Sequence, residues 1–394
     1  NVFSESVYFI QWYEYTGVFG GTLWILVVNL FIFNLLNAEL KVLKRKIIIS
    51  KVLMFIFLVG TPILLSLFIY DSNTEKNNKI EIAILQPNID PYNKKFKSNN
   101  SELFELIKNQ SIDYISQDTK YLILPEGYFD EGIGINLKTY EDSELKLSID
   151  SFLNEYKNLN LIVGAQSFNI YPVSENSPTI TANKISNSRW VDIYNSAFQF
   201  SNNYESQFYH KSKLVVGVEF MPYKKILEPI IGEVLLDFGG TVATRGIQDK
   251  RANFQSKEGI ITAPIICYES IYGSFITEYV RLGAQFLIII SNDAWWGNTE
   301  GHRQLLSYSR LRAIENRRAI ARSANTGISA FIDKNGRIIK KIDYEKNGIL
   351  IGNLPLANNL TFYTKYGDYI ARIALLLFIL TILFLFRNFL IRDK

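Results

Sequence analysis

The chain holds one cysteine, Cys267, and two histidines, His210 and His302, in 394 residues. Cys267 lies in "PIICYES", at the end of an apolar run and two positions before Glu269. A lone cysteine is commonly a small buried hydrophobe. It is also a side chain that can attack a carbonyl carbon, if a base takes its proton and a cation or N–H group meets the oxyanion. The residues after it run into Gly273 and a helical pattern. That places Cys267 at a strand-to-helix junction, where helix N–H groups favour thiolate and can hold an oxyanion.

Two other stretches carry candidates. In "YLILPEGYFD", Glu126 follows a buried-type strand and a proline. Alone it reads as a turn carboxylate; beside a thiol it would be a general base. In "FYHKSKLVVGVEFMPY", Lys211, Lys213 and Glu219 interrupt an apolar, aromatic run. Alone they read as charges on an edge strand; beside a reacting carbonyl a lysine would be a fixed cation. His302, in "GNTEGHRQ", reads either as a base for Cys267 or as part of a helix cap.

Other chemistries fit less well. One Cys excludes an internal disulfide, and one Cys with two His is a poor zinc ligand set, so no metal or cofactor is expected. The sequence lacks G-x-S-x-G, P-loop and H-E-x-x-H patterns. "GIGINL" at 132–137 lacks the last glycine of a dinucleotide loop. A net charge of +4, with no basic cluster among aromatics in the middle of the chain, argues against nucleic acid.

The elements that must position these residues fall in one stretch. Short β-branched runs ("IEIAILQPN", "YLILPEG", "LIVGAQSFN", "NSAFQFS", "GIITAPIICYE", "AQFLIIISND", "ARSANTGISAFID") read as strands. Helical patterns separate several of them, among them 101–116, 143–158, 273–284 and 301–318. Alternation of this kind predicts a layered α/β domain over 78–355, with "EKNNKIE" before it and "PLANNLTFYTKYG" after it as linkers.

Membrane segments are expected on both sides, since 48% of residues are hydrophobic and the mean hydropathy is +0.05. Residues 18–36 and 52–70 carry no charge and are long enough to span a bilayer. The loop between them has Lys41, Lys44, Arg45, Lys46 and Lys51, which predicts a cytoplasmic loop. Near the C-terminus, Ile373 to Phe386 is apolar and bracketed by Arg372 and Arg387. Snorkelling of both arginines extends the usable span to 369–390, and the basic tail after it should be cytoplasmic. The expected organisation is a membrane region over 1–77, a catalytic domain over 78–355 outside the cytoplasm, and a linker and last span over 356–394. Outside the cytoplasm an unpaired thiol is usually avoided or used. The chain opens on Asn1 with no signal-peptide pattern, so a longer parent chain is expected.

In order and setting, Glu126, Lys211 and Cys267 resemble the Glu–Lys–Cys triad of the carbon–nitrogen hydrolase (nitrilase) superfamily. "ICYES", "SNDAWWGNTEGHRQLLSYSRLRAIENRRAIARSANTGIS" and the flanking spans resemble, within it, the apolipoprotein N-acyltransferase family. The resemblance implies a nitrilase-like α-β-β-α sandwich inserted between transmembrane helices, with further spans upstream. It implies Glu126 as general base, Lys211 as the cation near the oxyanion and Cys267 as nucleophile. Lys211 is preferred to Lys213 because it lies eight residues before Glu219, the family spacing to a second glutamate. Glu219, Glu269 and Tyr268 would support the triad. Trp295, Trp296, Tyr128 and Phe129 are candidate walls for acyl chains, or ordinary core aromatics. Val216, Gly217 and Val218 stand where the family commonly has Pro and Phe-Gly, so the shape of that loop departs from the pattern.

The implied reaction moves an acyl chain from a phospholipid of phosphatidylethanolamine type, through a cysteine thioester, to the α-amine of an apolipoprotein's diacylglyceryl-cysteine. The implied place is a bacterial inner membrane, with the catalytic domain periplasmic. Two other readings share these residues: a membrane-tethered amidase acting on a small amide, and a non-catalytic binding protein on the same fold.

Overall fold

The computed structural model describes residues 3–37, 45–70, 78–90, 99–173, 176–186, 188–220 and 244–392. In chain order the first elements are the apolar helices α1 (Tyr13–Leu36) and α2 (Arg45–Ile69). Then come β1 (Lys79–Gln86), α3 (Asn100–Ser111), β2 (Thr119–Ile123), β3 (Ile135–Asn136) and α4 (Glu144–Glu155). They lead into β4 (Asn160–Ile170), β5 (Asn183–Ser186), β6 (Arg189–Ser201), β7 (Tyr204–His210), β8 (Phe254–Gln255) and β9 (Ile261–Ile266). After these follow α5 (Gly273–Arg281), β10 (Phe286–Ser291), α6 (Glu300–Asn316), β11 (Ile320–Ala324) and β12 (Ser329–Ile332). The chain ends with β13 (Ile338–Ile342), β14 (Gly348–Pro355), α7 (Phe362–Tyr366) and α8 (Tyr369–Arg392).

Two sheets form from these strands. One has the order β14-β1-β2-β4-β6-β5, with β3 on β4 and β7 on β6; the other runs β13-β12-β11-β10-β9-β8. Side chains alternate across a strand, so each sheet can bury both faces. Along β1 and β2, Ile82, Ile84, Tyr121 and Ile123 join Ile265, Ile288 and Ala321 of the other sheet in the central core. Ala83, Leu85, Leu122 and Leu124 face the other way, onto Phe104 and Ile107 of α3 and Ile149 and Phe152 of α4. Phe275, Ile276 and Tyr279 of α5 pack on the second sheet as part of the central core. The result is the α-β-β-α sandwich.

Local signals explain the layer helices. Asn99 and Glu102 form a capping box at the start of α3, and Ser143 caps α4 through the Lys146 N–H. Strands β3, β5, β8, β13 and β14 are additions to the runs read as strands in the sequence. "IIKKI" carries two lysines and β14 contains two glycines, patterns that hide an edge strand. The expected linker at 355–367 holds the end of β14 and all of α7.

Among the described residues, three helices are long and apolar enough to cross a membrane: Tyr13–Leu36, Arg45–Ile69 and Tyr369–Ile391. They leave large side chains such as Leu30, Phe57 and Phe378 exposed. The sandwich grips the first of them at a break. Gly17 has φ +61°, and a Cβ there would run into the Tyr363 ring. The N–H of Val18, just past the break, donates to Glu315 Oε1 of α6 at 3.2 Å. Just upstream, Arg317 donates to the Gln11 side chain at 2.6 Å and to Glu14.

Candidate active site

Four strand ends converge on one buried point. Glu126 follows β2, Lys211 follows β7, Cys267 follows β9 and Asn292 follows β10. Glu126 is held there by close backbone packing. The Pro125 carbonyl accepts from Gly164 N–H at 3.1 Å, and a Cβ at Gly164 would lie 2.5 Å from the Glu126 Cα. A larger residue in β4 would push the carboxylate away.

The Lys211 ammonium is buried between two carboxylates. Its Nζ is 2.9 Å from Glu126 Oε1 and 3.0 Å from Glu219 Oε2. Burial alone would lower its pKa. The charges of Glu126 and Glu219, and Cys267 beside them, win and raise it above the ordinary lysine value. Asn195 Nδ2 donates to Glu126 Oε1 at 2.7 Å and to Glu219 Oε1 at 2.8 Å. The remaining Glu126 oxygen accepts from the Asn292 backbone N–H at 2.9 Å. Both acids are therefore fixed by donors from several elements.

Cys267 is 9% exposed, and its φ of +48° falls in the left-handed region that costs a non-glycine residue energy. It opens a 3-10 turn over Cys267–Ile271, and α5 begins only at Gly273. This corrects the expectation that a helix N-terminus would favour thiolate. Burial, and then the Glu126 charge, push the thiol up, against the pull of Lys211. The resting group is a thiol, so attack requires a base that removes its proton in the reaction.

Glu269 supports the turn rather than the charges. It is fully buried; Oε2 accepts from Ile266 N–H at 2.9 Å, and Oε1 from Ser212 N–H and Tyr209 Oη, both at 2.7 Å. One carboxyl thus ties the Cys267 turn to the loop carrying Lys211. Burial raises its pKa to about 7. Tyr268 packs edge-on against Tyr272, with ring centroids 5.5 Å apart.

The other candidates fall elsewhere. Lys213 points its Nζ at the rings of Tyr272 and Phe275. His302 stacks on Tyr344 at 4.2 Å, while Glu126, Lys211 and Asp293 are the charges acting on the thiol. Phe129 is fully buried in the core between sheet and helices, the place of an ordinary core aromatic. Tyr128 is buried too, donating to the Leu103 carbonyl at 3.1 Å, and it lines a small cavity beside Glu126 with Ile89, Asn292 and Asn325. The side chains of Trp295 and Trp296 lie outside the described residues, as do Met221 and Pro222. Among the described residues, no three His, Cys, Asp or Glu side chains gather where a metal ion could sit.

Sequence reasoning missed Asn195, the Asn292 N–H and the buried Asp293–Arg322 pair, 2.8 Å apart, that braces the turn after β10. An amide on the inward face of a predicted strand was the available signal for Asn195.

A two-sheet sandwich presenting a buried cysteine beside a lysine and two glutamates defines a carbon–nitrogen hydrolase. The carbon-nitrogen hydrolase family model matches residues 81–359, and the chain belongs to that family, whose nucleophile is a cysteine. It is 28% identical over 381 residues to the apolipoprotein N-acyltransferase of Chlorobaculum tepidum, covering 95% of this chain and 69% of that protein. Against the apolipoprotein N-acyltransferase of Wigglesworthia glossinidia brevipalpis it is 28% identical over 327 residues, 80% of this chain and 58% of that one. Among solved structures, a Saccharomyces cerevisiae member of branch 10 of the nitrilase superfamily aligns with TM-score 0.48 and 17% identity, covering 72% of this chain and 93% of that one.

Proposed function

We propose that this chain transfers an acyl chain from a membrane phospholipid to the N-terminal amine of a lipoprotein, by way of a thioester on Cys267. The observation that carries the reading is the buried Lys211, held between Glu126 and Glu219 beside the only thiol, in a chain with membrane-length helices on both sides of the sandwich. The relatives' shared name supplies the acceptor class.

Glu126 takes the thiol proton as Sγ attacks the ester carbonyl of the donor. The negative charge on the carbonyl oxygen is met by the Lys211 ammonium, an interaction worth roughly 3–4 kcal/mol when such a donor is removed. The intermediate collapses, the ester C–O bond breaks, and Glu126 returns the proton to the departing lysophospholipid alkoxide. The amine of the diacylglyceryl-cysteine then attacks the thioester, Glu126 receives the amine proton, and it passes that proton to Sγ as the C–S bond breaks, which restores the thiol and the carboxylate. Two half-reactions through one acyl-enzyme make the kinetics ping-pong. Helices at both ends of the sandwich support a site that works on two lipid-borne substrates. The proposed donor, of phosphatidylethanolamine type, follows from the family resemblance; the charge asymmetry of the flanking loops supports a sandwich on the periplasmic side of the inner membrane and a cytoplasmic C-terminus.

The test is transfer of a labelled chain from phosphatidylethanolamine to a synthetic diacylglyceryl lipopeptide in liposomes. The reading expects an amide-linked product with the native protein and none with Cys267→Ala. Release of free fatty acid with no lipopeptide product would instead make the chain a hydrolase.

A further inference from the structure

Three charges meet at Lys211, with Glu126 and Glu219 negative and the lysine positive, while the nearby Asp293 is balanced by its pair with Arg322. With a neutral thiol that leaves the buried cluster one negative charge in excess, which is costly away from water. A fourth charged residue stands against it. Arg245 donates its backbone N–H to the Glu219 carbonyl at 3.2 Å, and its Nη1 donates to Gln166 Oε1 at 2.8 Å. Gln166 on β4 is the register partner of Asn195 on β6. Asn195 in turn donates to both Glu126 and Glu219. Arg245 is thus bonded to the Glu219 backbone and to Gln166, whose cross-strand neighbour Asn195 holds both carboxylates.

We propose that Arg245 is a positioning residue of the thioester reaction: hooked on Gln166, it supplies the second cation that balances the two carboxylates around Lys211. The inference rests on the reaction proposed above. The groups acting on Glu219 come from each neighbouring element: Lys211 after β7, the Val215 N–H in its own loop, Asn195 on β6 and Arg245. Burial pushes Glu219 up, and these four together hold it below the ordinary carboxylate value. Cys267 feels Glu126, Lys211 and Asp293 in the same cluster. Loss of one cation makes the site more negative, and a more negative site holds the thiol proton more tightly.

The experiment follows alkylation of Cys267 by iodoacetamide against pH, on the full chain in detergent, by intact mass. It needs no lipid, so it separates this inference from the acyl-transfer reading. Arg245→Ala should move the profile to higher pH by ~1 unit, about a tenfold slower reaction on the rising limb. Arg245→Lys should restore most of the shift, because it returns the charge. Gln166→Ala keeps the cation but unhooks it, and should shift the profile in the same direction by less. That variant carries the test if Arg245→Ala fails to fold. An unmoved profile, or one that Lys does not rescue, would overturn the proposal, even if acyl transfer is slowed. A shifted profile in a protein that transfers no acyl chain would keep Arg245 and sink the transferase.

Discussion

Two buried clusters of charge in the molecule are built differently. At the site Lys211 bonds two carboxylates, and Glu126 takes donors from Lys211, Asn195 and Asn292. At the last turn of α6, Arg312 and Glu315 pair at 3.1 Å with no solvent exposure, where α1 breaks at Gly17. There the Arg312 Nε and Nη1 and the Glu315 Oε2 have no hydrogen-bond partner among the described residues. The electrostatic outcome differs in sign. Glu219 is held below its ordinary pKa once Lys211 outweighs burial, whereas burial raises Glu315 to about 7 despite Arg312. At Glu219 the Lys211 ammonium, with donors from Val215 and Asn195, outweighs burial; at Glu315 the single arginine contact does not. The first condition suits chemistry; the second suits a joint between a sandwich and an apolar helix.

The largest expected effect breaks the first cluster. Lys211→Met should slow thioester formation by about 1000-fold, since the proposed reaction meets the oxyanion with this cation. It also leaves two carboxylates facing each other, a loss of roughly 3–5 kcal/mol of the kind seen when one partner of a buried pair is deleted. A rapid-quench assay and thermal melting check the two parts separately. Near-normal thioester formation would remove Lys211 from the chemistry.

The next prediction sets the clusters against each other through pH. Glu315 binds its proton more tightly folded than unfolded, so its stabilisation is present below about 4.5 and is lost as pH rises to about 7. At 1.36 kcal/mol per unit the full swing is about 3 kcal/mol at most. Glu315→Gln should flatten the fall in melting temperature over that window, leaving the share due to Glu269, which is also raised to about 7. Glu219 has the opposite sign: its contribution is present above the unfolded carboxylate value and fades as pH falls through the lower folded one. Glu219→Gln should therefore cost stability at neutral pH and weaken the acid-side loss. Parallel slopes for the two variants would contradict the comparison.

The smallest effect concerns Tyr128. Removing its hydroxyl forfeits the bond to Leu103, about 1 kcal/mol. Tyr128→Phe should lower the melting temperature slightly and leave the acyl-chain preference unchanged. A changed preference would return Tyr128 to the substrate.

How much of this was legible in the sequence follows from where the signals lie. Glu126 and Cys267 each close an apolar run, and Lys211 interrupts one, so a local pattern marks them. The layered fold was legible because its core strands are continuous and β-branched and its helices have the longer period. Asn195 and Gln166 carry no such mark. They are neutral amides on strands, and their meaning depends on the β4–β6 register, which pairs residues far apart in sequence. The Cys267 turn was misread because sequence shows a helical pattern ahead but not that a 3-10 turn intervenes. Phe129 was open to two readings because the same aromatic type serves a core and a ligand wall.

The measurement closest to the central claim is intact mass of the full chain after incubation with phosphatidylethanolamine labelled in its sn-1 chain, with no acceptor present. The account predicts a gain of one acyl chain, mapped to Cys267, released by neutral hydroxylamine and discharged by a diacylglyceryl lipopeptide faster than by water. A folded protein that gains no acyl chain, or one whose adduct water clears as fast as the lipopeptide, would contradict it.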